Sequence, residues 1–142
     1  MVNARGGRSL KPIHGGTVMV VDDDEDNALV LEAALDHAGF EVTVARSMHD
    51  ACAALAETSV DILVTDFSLG DGDAVELITT LGARRPRVAV LVTGYGSPED
   101  RARSRAAGFD THLLKPVSLD ELVRAIRDKL AQSSPGGATL EG

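Results

Sequence analysis

The sequence predicts a doubly wound α/β sandwich, with five parallel strands in the order 2-1-3-4-5 and helices on both faces. Three observations carry that expectation. Short apolar runs alternate five times with helical patterns, as successive βαβ units do. The runs at 18–21, 62–64 and 88–92 are almost wholly apolar, which suits strands covered on both faces. The first, third, fourth and fifth runs each end on a side chain that handles phosphate or a metal. In an open parallel sheet those carboxyl ends share one crevice.

The first strand, from Thr17, runs into Asp22 and Asp23. Asp24, Glu25 and Asp26 then put acids at the positive end of a helix dipole, with Ala28, Leu31, Leu35 and Ala38 marking one face. Glu41-Val42-Thr43-Val44 alternates, as an edge strand does. The third run passes from Ile62 to Thr65 and meets Asp66. The fourth meets Thr93-Gly94, and the fifth, Thr111–Leu114, meets Lys115-Pro116. Ser47…Asp50, Ser97…Asp100 and Ser118…Glu121 have the spacing that starts helices, and Pro98 suits a first helical position. Leu119, Leu122, Val123, Ile126 and Leu130 form an apolar stripe. Ala38-Gly39-Phe40 and Ala107-Gly108-Phe109 read as helix ends, with a left-handed Gly and a Phe that packs back.

At 142 residues the chain suits one domain. We read 1–16 as a flexible tail, 17–131 as the folded unit and 132–142 as a second tail, with Pro135-Gly136-Gly137 resembling a linker. Aromatics are only 3%, so the core must be built from Val, Leu, Ile and Ala. A formal charge of −8 argues against nucleic-acid or anionic-membrane surfaces. No apolar stretch spans a bilayer and none resembles a secretory signal, so a cytoplasmic setting is expected. Cys52 is alone, which leaves no disulfide framework, and it is read as a small buried hydrophobe. His14, His37 and His49 are read as solvent-facing or tail residues. The acidic run at 22–26 would by itself be a solvated helix start, and Arg101, Arg103 and Arg105 a solvated helix face.

The chemistry lies at the strand ends. Asp22, Asp23 and Asp66 beside Lys115 leave an excess of negative charge that calls for a cation. All-oxygen ligation with few carboxylates suits Mg²⁺, with Mn²⁺ as an alternative. A metal, the Thr93 hydroxyl and a lysine around one carboxylate are the equipment for phosphoryl transfer to that carboxylate. Gly94-Tyr95-Gly96 lacks the third glycine of a dinucleotide loop, there is no Walker A sequence, and 66–73 lacks calcium-loop spacing.

Val20-Val21-Asp22-Asp23-Asp24, Asp61-Ile62-Leu63-Val64-Thr65-Asp66, Leu91-Val92-Thr93-Gly94 and Leu113-Leu114-Lys115-Pro116 stand in this order at these spacings. Together they make the chain resemble the receiver domain of two-component response regulators, a CheY-like, flavodoxin-like fold, over roughly Thr17–Leu130. The resemblance implies that Asp66 is phosphorylated by a sensor histidine kinase or histidine phosphotransfer protein. Asp23 and Asp66 would bind Mg²⁺ directly, with the Ser68 backbone carbonyl, and Asp22 largely through water. Thr93 and Lys115 would each hold a phosphoryl oxygen, and the Lys115-Pro116 peptide would be cis. Phosphorylation would switch the face of the fourth helix, fifth strand and fifth helix toward a downstream protein or a second copy of the chain. Such a domain is not a turnover enzyme; it catalyses only its own phosphorylation and dephosphorylation.

Departures from the family pattern also shape the expectations. Gly70 and Gly72 replace the usual proline and methionine after the acceptor, and a looser loop toward Asp73 is expected. His112 stands where the family has an aromatic switch, which points to a weakened, altered or pH-sensitive one. Ser68 and Tyr95 take the two positions that modulate dephosphorylation, Tyr95 as a shield against water. A phosphatase of haloacid-dehalogenase type is the competing function. That family wants a second carboxylate two residues after the nucleophile, where this chain has Ser68.

Overall fold

The structure, a computed structural model, describes residues 16–94 and 97–133. Expectations placed on His14, Tyr95 and Pro135–Gly137 lie outside the described residues. The elements alternate strictly: β1 (Gly16–Val21), α1 (Glu25–His37), β2 (Phe40–Ala45), α2 (Met48–Glu57), β3 (Ile62–Asp66), α3 (Ala74–Leu81), β4 (Val88–Thr93), α4 (Pro98–Ala107), β5 (Thr111–Leu114) and α5 (Leu119–Ser133). A 3₁₀ turn at Gly82–Arg84 follows α3. The strands form one parallel sheet in the order β2-β1-β3-β4-β5, as expected.

Alternation along each strand divides the core into two layers. Val18, Val20, Ile62, Val64, Val88 and Val90 face one way and meet Leu31 and Leu35 of α1 and Leu122 and Ile126 of α5. Met19, Val21, Leu63, Ala89 and Leu91 face the other way and meet Ala51 and Leu55 of α2 and Leu77 and Ile78 of α3. With β1, β3 and β4 covered on both sides, their apolar runs have no water-facing position to make polar.

The helix starts form as read. Ser47, Ser97 and Ser118 accept from the amides of Asp50, Asp100 and Glu121 at 2.9, 3.0 and 3.0 Å. Asp24 accepts from Asn27 N at 2.9 Å and caps α1. Gly39 and Gly108 have φ of 104° and 113°, and Phe40 and Phe109 are buried beside them. α3 opens on a full capping box in which Asp73 and Glu76 exchange side-chain-to-amide bonds of 2.9 Å.

Two boundaries and one burial differ from expectation. Gly16, assigned to the tail, is the first residue of β1, because β2 starts at Phe40 and offers it a partner. α5 continues through Gln132 to Ser133, since nothing before Pro135 breaks a helix. Cys52 is half-buried against the core rather than enclosed, lying one position beyond the fully buried Ala51 on α2. His37 and His49 are exposed, as are Arg101, Arg103 and Arg105.

Candidate functional site at the strand ends

Register brings the predicted side chains together. Val21 pairs with Thr65, so Asp22 follows at the level of Asp66. Asp66 pairs with Val92, and Thr93 with Leu114, so Thr93 and Lys115 come next along the same rim. Lys115 N donates to the Thr93 carbonyl at 2.8 Å, and the Lys115–Pro116 peptide is cis.

Carboxylate oxygens of Asp22, Asp23 and Asp66 lie within 4.8 Å of one another. Lys115 Nζ is 3.4 Å from Asp66 Oδ2 and 3.8 Å from Asp22 Oδ2. Asp22 is only 1% exposed, and its Oδ1 accepts from Asp24 N at 2.9 Å. Burial pushes the Asp22 carboxyl above its ordinary range; the Asp24 amide and Lys115 pull it down, while Asp66 and Asp23 add to the rise. Asp66 is part-exposed, and its Oδ1 accepts from Phe67 N at 2.8 Å. One ammonium therefore pairs with two of the three clustered carboxylates. The donors are all oxygen, close enough to share one ion and short of positive charge, so they fit a small hard divalent cation. Among the described residues no other cluster of three potential ligands forms. Ser68 is exposed and bridges to Asp73.

Three features were not legible from the sequence. Arg46 Nη2 donates to the Asp23 carbonyl at 3.1 Å; its place just past β2, on the same rim, was the available signal. Asp71 accepts from two α2 amides, a contact no local pattern announces. The loop around Gly70 and Gly72, expected to be loose, is held by Leu69 N to Gly72 O at 2.9 Å and Ala74 N to Phe67 O at 2.7 Å. His112 is half-buried, its ring edge-on to Phe109, and its Nε2 is enclosed without a hydrogen-bond partner. It lines a small cavity with Thr93, Phe67, Leu91 and, from α4, Asp100, Arg101 and Ser104. Burial, then Arg105 and Arg101, hold its imidazole below the usual histidine range.

Residues 18–127 match the model of the response regulator receiver domain. This chain belongs to that family. The receiver is 31% identical over 124 residues to the transcriptional regulatory protein ZraR of Salmonella typhimurium, a match covering 87% of this chain and 28% of that protein. It is 38% identical over 111 residues to the transcriptional regulatory protein PrrA of Mycobacterium leprae, covering 78% and 48%. This receiver thus spans less than half the length of either relative. A CheY-like receiver domain from Methanospirillum hungatei superposes with a TM-score of 0.80 at 29% identity, covering 85% of this chain and 98% of that one. The role of such a domain is signalling, and the haloacid-dehalogenase reading finds no support in these matches. No helix among the described residues is long and apolar enough to cross a membrane.

Proposed function

We propose that this receiver accepts a phosphoryl group on Asp66 from a phosphohistidine, carried by a sensor histidine kinase or a histidine phosphotransfer protein. The observation that carries the reading is the meeting of Asp22, Asp23 and Asp66 with Lys115 on one rim. Asp23 and Asp66, with the Ser68 carbonyl, would hold Mg²⁺ or Mn²⁺, and Asp22 would act largely through water. The ion supplies the positive charge that lets an anionic donor approach. An Asp66 oxygen bonds to phosphorus as the donor's P–N bond breaks, and the histidine nitrogen keeps that electron pair and takes up a proton. Lys115 pairs with one phosphoryl oxygen, and the Thr93 hydroxyl donates to another.

Thr93 and His112 share a cavity beneath α4, so drawing Thr93 toward the phosphate alters what packs there. That is the route to the α4–β5–α5 surface, where Leu114 is 48% exposed and available to a downstream protein or a second copy. A cytoplasmic setting suits such a partner set.

Incubation with acetyl phosphate and Mg²⁺, followed by intact mass measurement, tests the reading. Wild-type protein is expected to gain one base-labile phosphoryl group, and Asp66→Asn none. A gain that persists in Asp66→Asn refutes the acceptor assignment.

A further inference from the structure

The loop leaving β3 is tied to a helix that carries none of the metal ligands. Asp71 Oδ1 accepts from Met48 N at 2.8 Å and Asp71 Oδ2 from His49 N at 2.9 Å, the first two amides of α2. Ser47 takes the third, from Asp50 N. Three of the four amides that a helix start leaves unpaired are thus satisfied, two of them by a residue from another loop.

The flanking glycines make this contact possible. Gly70 has φ of 83°, a left-handed backbone that favours glycine. A Cβ on Gly72 would stand 2.7 Å from Met48 Sδ. Proline, with φ near −65°, cannot occupy the first position in this backbone. The left-handed turn at Gly70 thus precedes the residue that reaches the start of α2. The same start of α2 also grips the acidic pair, since Arg46 Nη2 donates to the Asp23 carbonyl. Segment 46–49 thus holds the backbone at Asp23 and the loop that follows Asp66, which carries Ser68.

We propose that Asp71 is a positioning residue that latches the loop after Asp66 onto α2 and, together with Arg46, sets the spacing between Asp23 and the Ser68 carbonyl on that loop. The inference rests on the reading of those carboxylates as a Mg²⁺ site. Asp71 stands outside the cluster of Asp22, Asp23 and Asp66. The amides of His49 and Met48 hold its carboxyl below the ordinary range, in accord with a carboxylate that stays charged on a helix start.

The alternative is an ordinary helix cap, which would affect stability alone. Calorimetric Mg²⁺ titration and amide exchange at Met48 and His49 separate the two. Asp71→Ala is expected to speed exchange at both amides and to raise the Mg²⁺ Kd about tenfold, the low end of what losing a partner behind a metal ligand does. Asp71→Asn keeps one of the two acceptor oxygens and is expected to fall between wild type and the alanine variant in both readouts, which keeps the test available should the alanine variant not fold. Arg46→Ala cuts the other arm and is expected to raise the same constant. Faster exchange with a wild-type Kd would reduce Asp71 to a cap and overturn the proposal, as would unchanged exchange. Wild-type protein that binds no Mg²⁺ would overturn the metal-site reading itself, and the latch as a positioning device with it.

Discussion

His112 shows how one side chain beside Thr93 ties the fold to solution conditions. Its ring packs edge-on to Phe109, and its Nε2 is enclosed beside Thr93, Asp100 and Arg101, with Arg105 adding positive charge nearby. Its folded-state pKa is lowered, so the folded protein favours the neutral ring. The corresponding stability is present above the unfolded value of about 6.5 and is lost as pH falls through and below it. His112→Phe is expected to flatten that acid-side loss. Urea midpoints at neutral and mildly acidic pH check this, because His37 and His49 are common to both proteins. An equal loss in wild type and variant would assign the pH sensitivity elsewhere.

Among the elements, α4 is the one held least by apolar contact. α3 buries Ala74, Leu77, Ile78 and Leu81, and α5 contributes Leu122 and Ile126 to the core. The only fully buried residue of α4 is Ser104, whose hydroxyl donates to the Asp100 carbonyl at 2.9 Å. Its C-terminal end is tied instead by Arg85, which donates to the Ala107 and Gly108 carbonyls. A helix with so little buried apolar area opens at low free-energy cost. Its amides are expected to exchange about tenfold or more faster than those of α3, a gap of about 1.4 kcal/mol in opening free energy. Protection in α4 equal to that in α3 would contradict this. A lightly held helix above Thr93 also suits the proposed response of this surface to phosphorylation.

At the scale of the whole molecule, the net charge of −8 and the clustered carboxylates act against the folded state. Asp22 contributes most to that cost in the site, being 1% exposed and beside two other carboxylates. Under the proposed Mg²⁺ binding, a saturating ion is expected to offset it, adding about 2.7 kcal/mol at a hundred times its Kd, or roughly 10 °C in Tm for a domain of this size. Asp22→Asn is expected to be more stable than wild type without metal by about 1 kcal/mol and to gain less from Mg²⁺. Thermal melts of both proteins in EDTA and in Mg²⁺ measure the two effects. A less stable metal-free Asp22→Asn would show that Lys115 already neutralises the cluster.

The strand runs, helix starts and four chemical strand ends were legible in the sequence because each depends on neighbours along the chain. A buried parallel strand must be apolar, a helix start must satisfy its amides, and a strand end must emerge at the rim. Only the tertiary structure decided the rest. The extent of β1 rests on Phe40 as a pairing partner, and the hold on Asp23 rests on Arg46, which is 23 positions away. The seating of Gly70-Asp71-Gly72 rests on amides of a helix that precedes it by more than twenty residues. Contacts of that kind pair groups distant in the chain, and no local pattern encodes a distant partner.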